Sequence, residues 1–161
     1  TLFRSKRDAL AHNIAWMQRF VRERGIDLAP HGKTTMSPQL FEQQLAHGAW
    51  GLTAATASHV RLYRLFGVQR ILMANQLVGR ANLDLVFDEL RADPGFDFYC
   101  LVDSIAGLEL LLAALRERLR RQPLDEAPST STGQTALTRT SGASTRASDS
   151  VIVLSAPLVE A

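Results

Sequence analysis

The segment APHGKTTMSP, residues 29–38, carries Lys33, one of two lysines in a chain of 161 residues whose other cationic side chains are sixteen arginines. Either type serves as a surface charge or an ion-pair partner. Only lysine gives up its proton readily enough to act as an amine nucleophile, because guanidinium stays protonated. A lysine at the end of a short extended stretch, with Gly32 beside it to allow close backbone approach, suits attack on a carbonyl. His31 alternates with Lys33 on one side of that stretch. It is either a hydrogen-bonding group for a ligand there or a satisfied polar residue at a strand end.

The segment HGKTT also invites comparison with the end of a phosphate-binding P-loop. That motif needs a glycine at position 27, where the chain has Asp27, and Pro30 would fall inside the loop. His12, His47 and His59 each fall in a helical segment without metal-ligand spacing, so no metal is assigned.

The elements that position Lys33 are legible from periodicity. Apolar residues at 10, 14, 17, 20 and 21 mark one face of a helix from Asp8 to Glu23, stopped by Gly25. DLAPH reads as a strand, and Ser37-Pro38 as the cap and first position of a helix reaching about His47. The alternation then repeats. WGLTAA, RILMAN and FDFYCLVD are strands, and SHVRLYRLF, ANLDLVFDELRA and Ser104 to about Arg121 are helices, closed where they end by Gly67 and by Asp93-Pro94-Gly95. Four strand–helix units without a hairpin signal predict an α/β fold: parallel strands joined by right-handed crossovers and covered on both faces.

Residues just past the strand ends of such a fold converge on one face, where ligands bind. Those positions are Lys33, Thr53 and Thr56, Asn75 and Gln76, and Asp103 and Ser104. Several have a simpler reading, since Thr56, Ser58 and Ser104 are good helix caps.

Composition separates the chain into two parts, residues 1–122 and 123–161. All eleven aromatic residues lie between Phe3 and Tyr99, and twelve of the 24 residues from Ala127 to Ser150 are Ser or Thr. Such a stretch buries too little apolar area to offset its ordering entropy, which predicts a low-complexity, disordered tail. VIVLSAPLV, residues 151–159, has strand character without an evident native partner. The break is what a shifted reading frame in a GC-rich gene would produce, and it would leave the strand FDFYCLVD with an unpaired edge.

A formal charge of +2, with basic residues interspersed among acids, argues against a nucleic-acid partner. No apolar run approaches the roughly 18 residues of a membrane span. The single Cys100 excludes an internal disulfide framework and lies in an apolar run, so it reads as a buried thiol in a cytoplasmic protein.

The stretch from NIAWMQRF through APHGKTTMSP to RILMANQLV resembles the N-terminal barrel of the pyridoxal-phosphate enzymes of the alanine racemase type. It is most similar to the branch with D-threonine aldolase, D-serine dehydratase and related amino acid deaminases, over roughly residues 8–122. Members carry an R-P-H-x-K-T-H-K-like motif whose lysine forms the Schiff base with pyridoxal 5'-phosphate, and Lys33 matches it. Ala29 stands where arginine is frequent, and TTM where THK is.

The resemblance implies a partial (β/α) barrel, TIM-like and truncated at about four of eight units, and a lyase or deaminase for small D- or β-hydroxy amino acids. It implies Lys33 as the cofactor lysine and, as in relatives that dimerise, a homodimer of the full-length protein; placement at the strand ends adds His31, Thr53, Asn75, Gln76 and Asp103 to the expected cofactor site. A fragment lacking half the barrel is expected to have little activity. A non-catalytic pyridoxal-phosphate carrier and an inactive α/β remnant are the alternatives.

Overall fold

The computed structural model describes residues 6–121 and 150–155. In chain order the elements are α1 (Arg7–Glu23), α2 (Pro38–Ala46), β1 (Leu52–Ala54), α3 (Ala57–Leu65), β2 (Arg70–Gln76), α4 (Arg80–Ala92), β3 (Asp97–Val102), α5 (Ile105–Arg121) and β4 (Ser150–Ser155). Five helices and three parallel strands fall within two or three residues of the expected bounds, because caps and glycines mark their ends. The Thr56 hydroxyl accepts the His59 N–H at 3.3 Å and starts α3, and the Ser104 hydroxyl accepts the Gly107 N–H at 3.1 Å and starts α5. Ser37 occupies the cap position of α2 ahead of Pro38, yet its hydroxyl donates to Gln39 Oε1 at 3.1 Å instead of accepting a helix N–H.

The sheet runs in the order β1-β2-β3-β4, with β1, β2 and β3 mutually parallel. Three expectations need correction. The first strand, DLAPH, is reduced to an extended segment with one parallel bridge, His31 to Thr53, so three parallel strands form instead of four. Pro30 has no N–H to offer and lies in the middle of that segment, which limits its ladder. The edge of β3 is not left open either. Ser150–Ser155 pairs with it antiparallel, Val102 opposite Ser150 and Asp97 opposite Ser155. The rest of the expected disordered tail lies outside the described residues.

Third, β2 and β3 are covered fully on one face only. Ile71 and Met73, with Phe98, Cys100 and Val102, are buried, while Arg70, Leu72, Asp97, Tyr99 and Leu101 alternate with them and stay half-buried. The buried set joins Val60 and Tyr63 of α3 and Val86, Phe87 and Leu90 of α4 in one core. The other face carries a ring pair, Trp50 and Tyr99 at 4.8 Å, and the ion pair Arg70–Asp97 at 3.0 Å. Among the described residues, no helix is long and apolar enough to cross a membrane.

Arg64 of α3 clamps the far end of the core. Its guanidinium donates to the Val68 carbonyl and to Gln69 Oε1, both at 2.8 Å, pairs with Asp93, and lies 4.4 Å above the Phe96 ring. The Asp93 carboxyl also accepts the Gly95 N–H at 2.8 Å. The Arg64 bond first, then the Gly95 bond, hold the Asp93 carboxyl below its ordinary value of 3.8. A lowered carboxylate contributes stability that is fully present above the unfolded value and lost as pH falls through the folded one. Arg64→Met, which removes these hydrogen bonds and the pairing with Asp93, is expected to destabilise the fold and lower its urea midpoint. It should also remove the Asp93 part of the acid-side loss, as measured by urea denaturation at neutral and acid pH.

Candidate active site

Lys33 owes its place to the extended segment before it. The Trp50 N–H donates to the Leu28 carbonyl at 2.9 Å and the Thr53 N–H to the Pro30 carbonyl at 2.8 Å, which holds residues 28–31 alongside β1. The Thr53 hydroxyl adds a third link, donating to the Ala29 carbonyl at 2.7 Å. Thr53 is thus inside β1 and almost fully buried, not past the strand end as its spacing suggested.

After His31 the chain makes a single 3-10 turn, Gly32–Thr34, with His31 at its N-cap. The His31 Nδ1 accepts the Lys33 N–H at 3.4 Å. The turn leaves through Met36, at φ 45 the only left-handed non-glycine residue among those described, whose N–H reaches back to the Gly32 carbonyl at 3.0 Å. His31 and Lys33 are exposed, and Gly32 between them is buried. Beneath Gly32 lie Phe41 of α2 and Tyr63 of α3, edge to face at 4.8 Å. A β-carbon on Gly32 would stand 2.6 Å from the Tyr63 hydroxyl and 2.9 Å from Phe41 Cε1. The close approach that Gly32 permits is therefore to the protein's own aromatic rings.

At the neighbouring strand ends, β2 and β3 pair as far as Met73 with Cys100 and resume at Gln76 with Leu101. Ala74 and Asn75 are left over as a bulge, a feature that re-aims side chains beside sites and that periodicity did not reveal. From it, Asn75 Nδ2 donates to the Ala55 carbonyl at 3.4 Å, and Gln76 Nε2 donates to Asp103 Oδ2 at 2.9 Å. Gln76 and Asp103 also border an apolar cavity of about 270 Å³, walled by Leu77, Leu101, Val102 and Leu111. The six candidate residues therefore fall into two groups at the carboxyl ends of adjacent strands. His31, Lys33 and Thr53 form one, Gln76 and Asp103 the other, with Asn75 tying β2 to the loop after β1.

Two further residues shape the first group. Tyr63 donates its hydroxyl to the Thr53 carbonyl at 3.4 Å, and the His59 ring stacks on Tyr63 at 6.3 Å with Nδ1 shielded from water and without a partner. Their i, i+4 spacing in α3 was the available signal, since it puts both on one helix face beside the end of β1. Partial burial first, then the charges of Lys33 and His59, hold the His31 imidazole below its ordinary 6.5, against a pull from the Thr53 backbone. Among the described residues no carboxylate lies within ion-pair distance of Lys33, so its amine is not tied up in a salt bridge. The chemistry on offer is an accessible primary amine, an imidazole behind it and an amide–carboxylate pair across the strand ends.

Cys100 takes no part in this. It is fully buried in β3, and burial pushes its thiol up to about 11. At pH 8 roughly a thousandth would be thiolate even with free access. The native chain is expected to resist alkylation by iodoacetamide and to react only when unfolded, a difference read directly by mass spectrometry.

No family model matches the chain. It is 32% identical over 111 residues to D-threo-3-hydroxyaspartate dehydratase of Delftia sp. (strain HT23), covering 69% of this chain and 28% of that protein. It is 32% identical over 74 residues to D-threonine aldolase of Arthrobacter sp., covering 46% and 20%. Among solved structures, D-threonine aldolase from Filomicrobium marinum superposes with a TM-score of 0.63 at 24% identity, over 68% of this chain and 29% of that one, and shares the fold. A variant of D-threo-3-hydroxyaspartate dehydratase superposes with a TM-score of 0.62 at 32% identity, over 69% and 28%. The chain thus spans less than a third of the length of these relatives. Over some two thirds of its own length, it is a homologue of the D-threonine aldolases and D-3-hydroxyaspartate dehydratases, in the alanine racemase-type group that its sequence resembles.

Proposed function

We propose that this chain is the lysine-bearing part of a pyridoxal-phosphate-dependent lyase for small amino acids, with Lys33 as the residue that holds the cofactor. The observation that carries the proposal is an accessible amine on a dedicated turn, at the carboxyl end of the segment beside β1, in a homologue of an aldolase and a dehydratase. The residues fit an aldehyde-bearing, anionic cofactor: an amine that among the described residues pairs with no carboxylate, beside the His31 imidazole. When bound, pyridoxal phosphate supplies an electron sink for the bond broken at the substrate's α-carbon.

The chain's own residues supply the rest. Lys33 Nζ would hold the cofactor and, as an amine at the mouth of the site, would move the proton at the substrate's α-carbon. His31 and Thr53 fix the turn and the segment that carry it. Gln76 and Asp103, joined across β2 and β3, border the space beside an apolar cavity suited to a small side chain. Removal of a β-hydroxyl and cleavage of the Cα–Cβ bond are both within this chemistry, and D-configured or β-hydroxy amino acids are the substrates we assign. The complete protein then closes a (β/α) barrel around the same strand ends, in the cytoplasm.

Titration of the chain with pyridoxal phosphate tests the assignment. A saturable visible absorption band that survives gel filtration and is discharged by a competing amine is expected. A spectrum equal to the sum of protein and free cofactor overturns it.

A further inference from the structure

We propose that His31 is a positioning residue for Lys33: its neutral imidazole, accepting the Lys33 N–H at Nδ1, holds the Gly32–Thr34 turn, and protonation of the ring releases it. The proposal rests on Lys33 being the cofactor residue, but its geometry stands without the cofactor. His31 sits where two structures meet. Its backbone makes the single bridge to Thr53 that ends the extended segment, and its side chain caps the turn that follows.

An imidazole accepts at Nδ1 only when that nitrogen is bare, so the ring must be neutral with its proton on Nε2. The imidazolium has two donors and no acceptor. It would face the Lys33 N–H donor to donor, and the cap would be lost. Nothing else among the described residues takes over, because no other hydrogen bond holds the Lys33 N–H. The turn would then be held by the Thr35 and Met36 N–H groups on the Gly32 carbonyl and by the packing of Gly32 on Tyr63.

The surroundings keep the ring neutral. Facing it are the Lys33 ammonium on its own turn and His59 on the first turn of α3, both opposing a further positive charge. The Thr53 backbone on β1 favours the charged form, and the buried Tyr63 of α3 carries no charge near neutrality. Among the described residues, no carboxylate stands within ion-pair distance of His31. With the folded value lowered, the cap is complete above the ordinary 6.5 and fails as pH falls through the folded value.

The test is amide hydrogen exchange at Lys33, followed by NMR from pH 7.5 to 5 and corrected for intrinsic rates, in the wild type, His31→Asn and His31→Ala. Asparagine can accept the same N–H through its side-chain oxygen but does not titrate. The wild type should protect the Lys33 N–H about fivefold more at the alkaline end, the equivalent of one capping hydrogen bond. His31→Asn should protect it at every pH, and His31→Ala at none. Equal protection in all three, or a wild-type value independent of pH, would overturn the proposal.

Borohydride trapping of pyridoxal phosphate on the same three proteins separates this from the functional assignment. If the protection pattern holds while no cofactor attaches to any of them, the positioning role stands and the enzyme assignment fails. If cofactor attaches equally to all three without the pattern, the reverse is true.

Discussion

Lys33→Ala is expected to abolish stable attachment of pyridoxal phosphate, and Lys33→Arg to abolish it just as fully. The second variant is the informative one. Arginine restores positive charge and length at an exposed position, so a site that used Lys33 only as a countercharge for the cofactor phosphate would keep much of its affinity. A site that used it as a nucleophile keeps none, because guanidinium does not condense with an aldehyde under these conditions. Neither change should disturb the fold, since the side chain is exposed and makes no ion pair among the described residues. Equal urea midpoints for the three proteins, with the visible band present in the wild type alone, is the predicted pattern.

Gly32→Ala is expected to have the largest effect on stability of any single methyl near the site. The added carbon would meet the Tyr63 hydroxyl at 2.6 Å, Tyr63 Cζ at 2.7 Å and Phe41 Cε1 at 2.9 Å. Neither ring has room to retreat, because Tyr63 is 0% and Phe41 2% exposed. Overpacking of this kind costs about 2 kcal/mol and is relieved by moving the backbone of the turn. The same substitution should therefore slow cofactor attachment at the next residue. Gly25→Ala is the contrast: φ +61 strains it by about 1 kcal/mol, but the added carbon meets nothing within 4 Å, so attachment should be unchanged. Denaturation midpoints and trapping rates for the two variants, taken together, check the distinction.

Helices and strands were legible because their ends are chemically marked. Gly25, Gly48 and Gly67 adopt the positive φ that stops a helix, and Thr56 and Ser104 cap the next ones. The first strand misled because its apolar character is genuine while Pro30 limits its pairing, a conflict settled by backbone hydrogen bonding and not by hydropathy. Lys33 was singled out by residue type and place, and the structure sets it exposed on the turn after His31. Thr53 was misplaced by a residue or two, enough to turn a rim position into a buried link to Ala29. The floor formed by Phe41 and Tyr63 and the bulge at Ala74-Asn75 depend on packing between elements distant in sequence, which local periodicity does not carry. The apolar run Val151–Leu154 displayed its strand character but not its partner.

The chain offers few amines: Lys6, Lys33 and the N-terminus. Reduction with borohydride in the presence of pyridoxal phosphate, followed by peptide mapping, should place one cofactor mass on the peptide containing Lys33 and leave Lys6 bare. Label spread between Lys6, Lys33 and the terminus in proportion to exposure, or absent from Lys33, would contradict the account at its root.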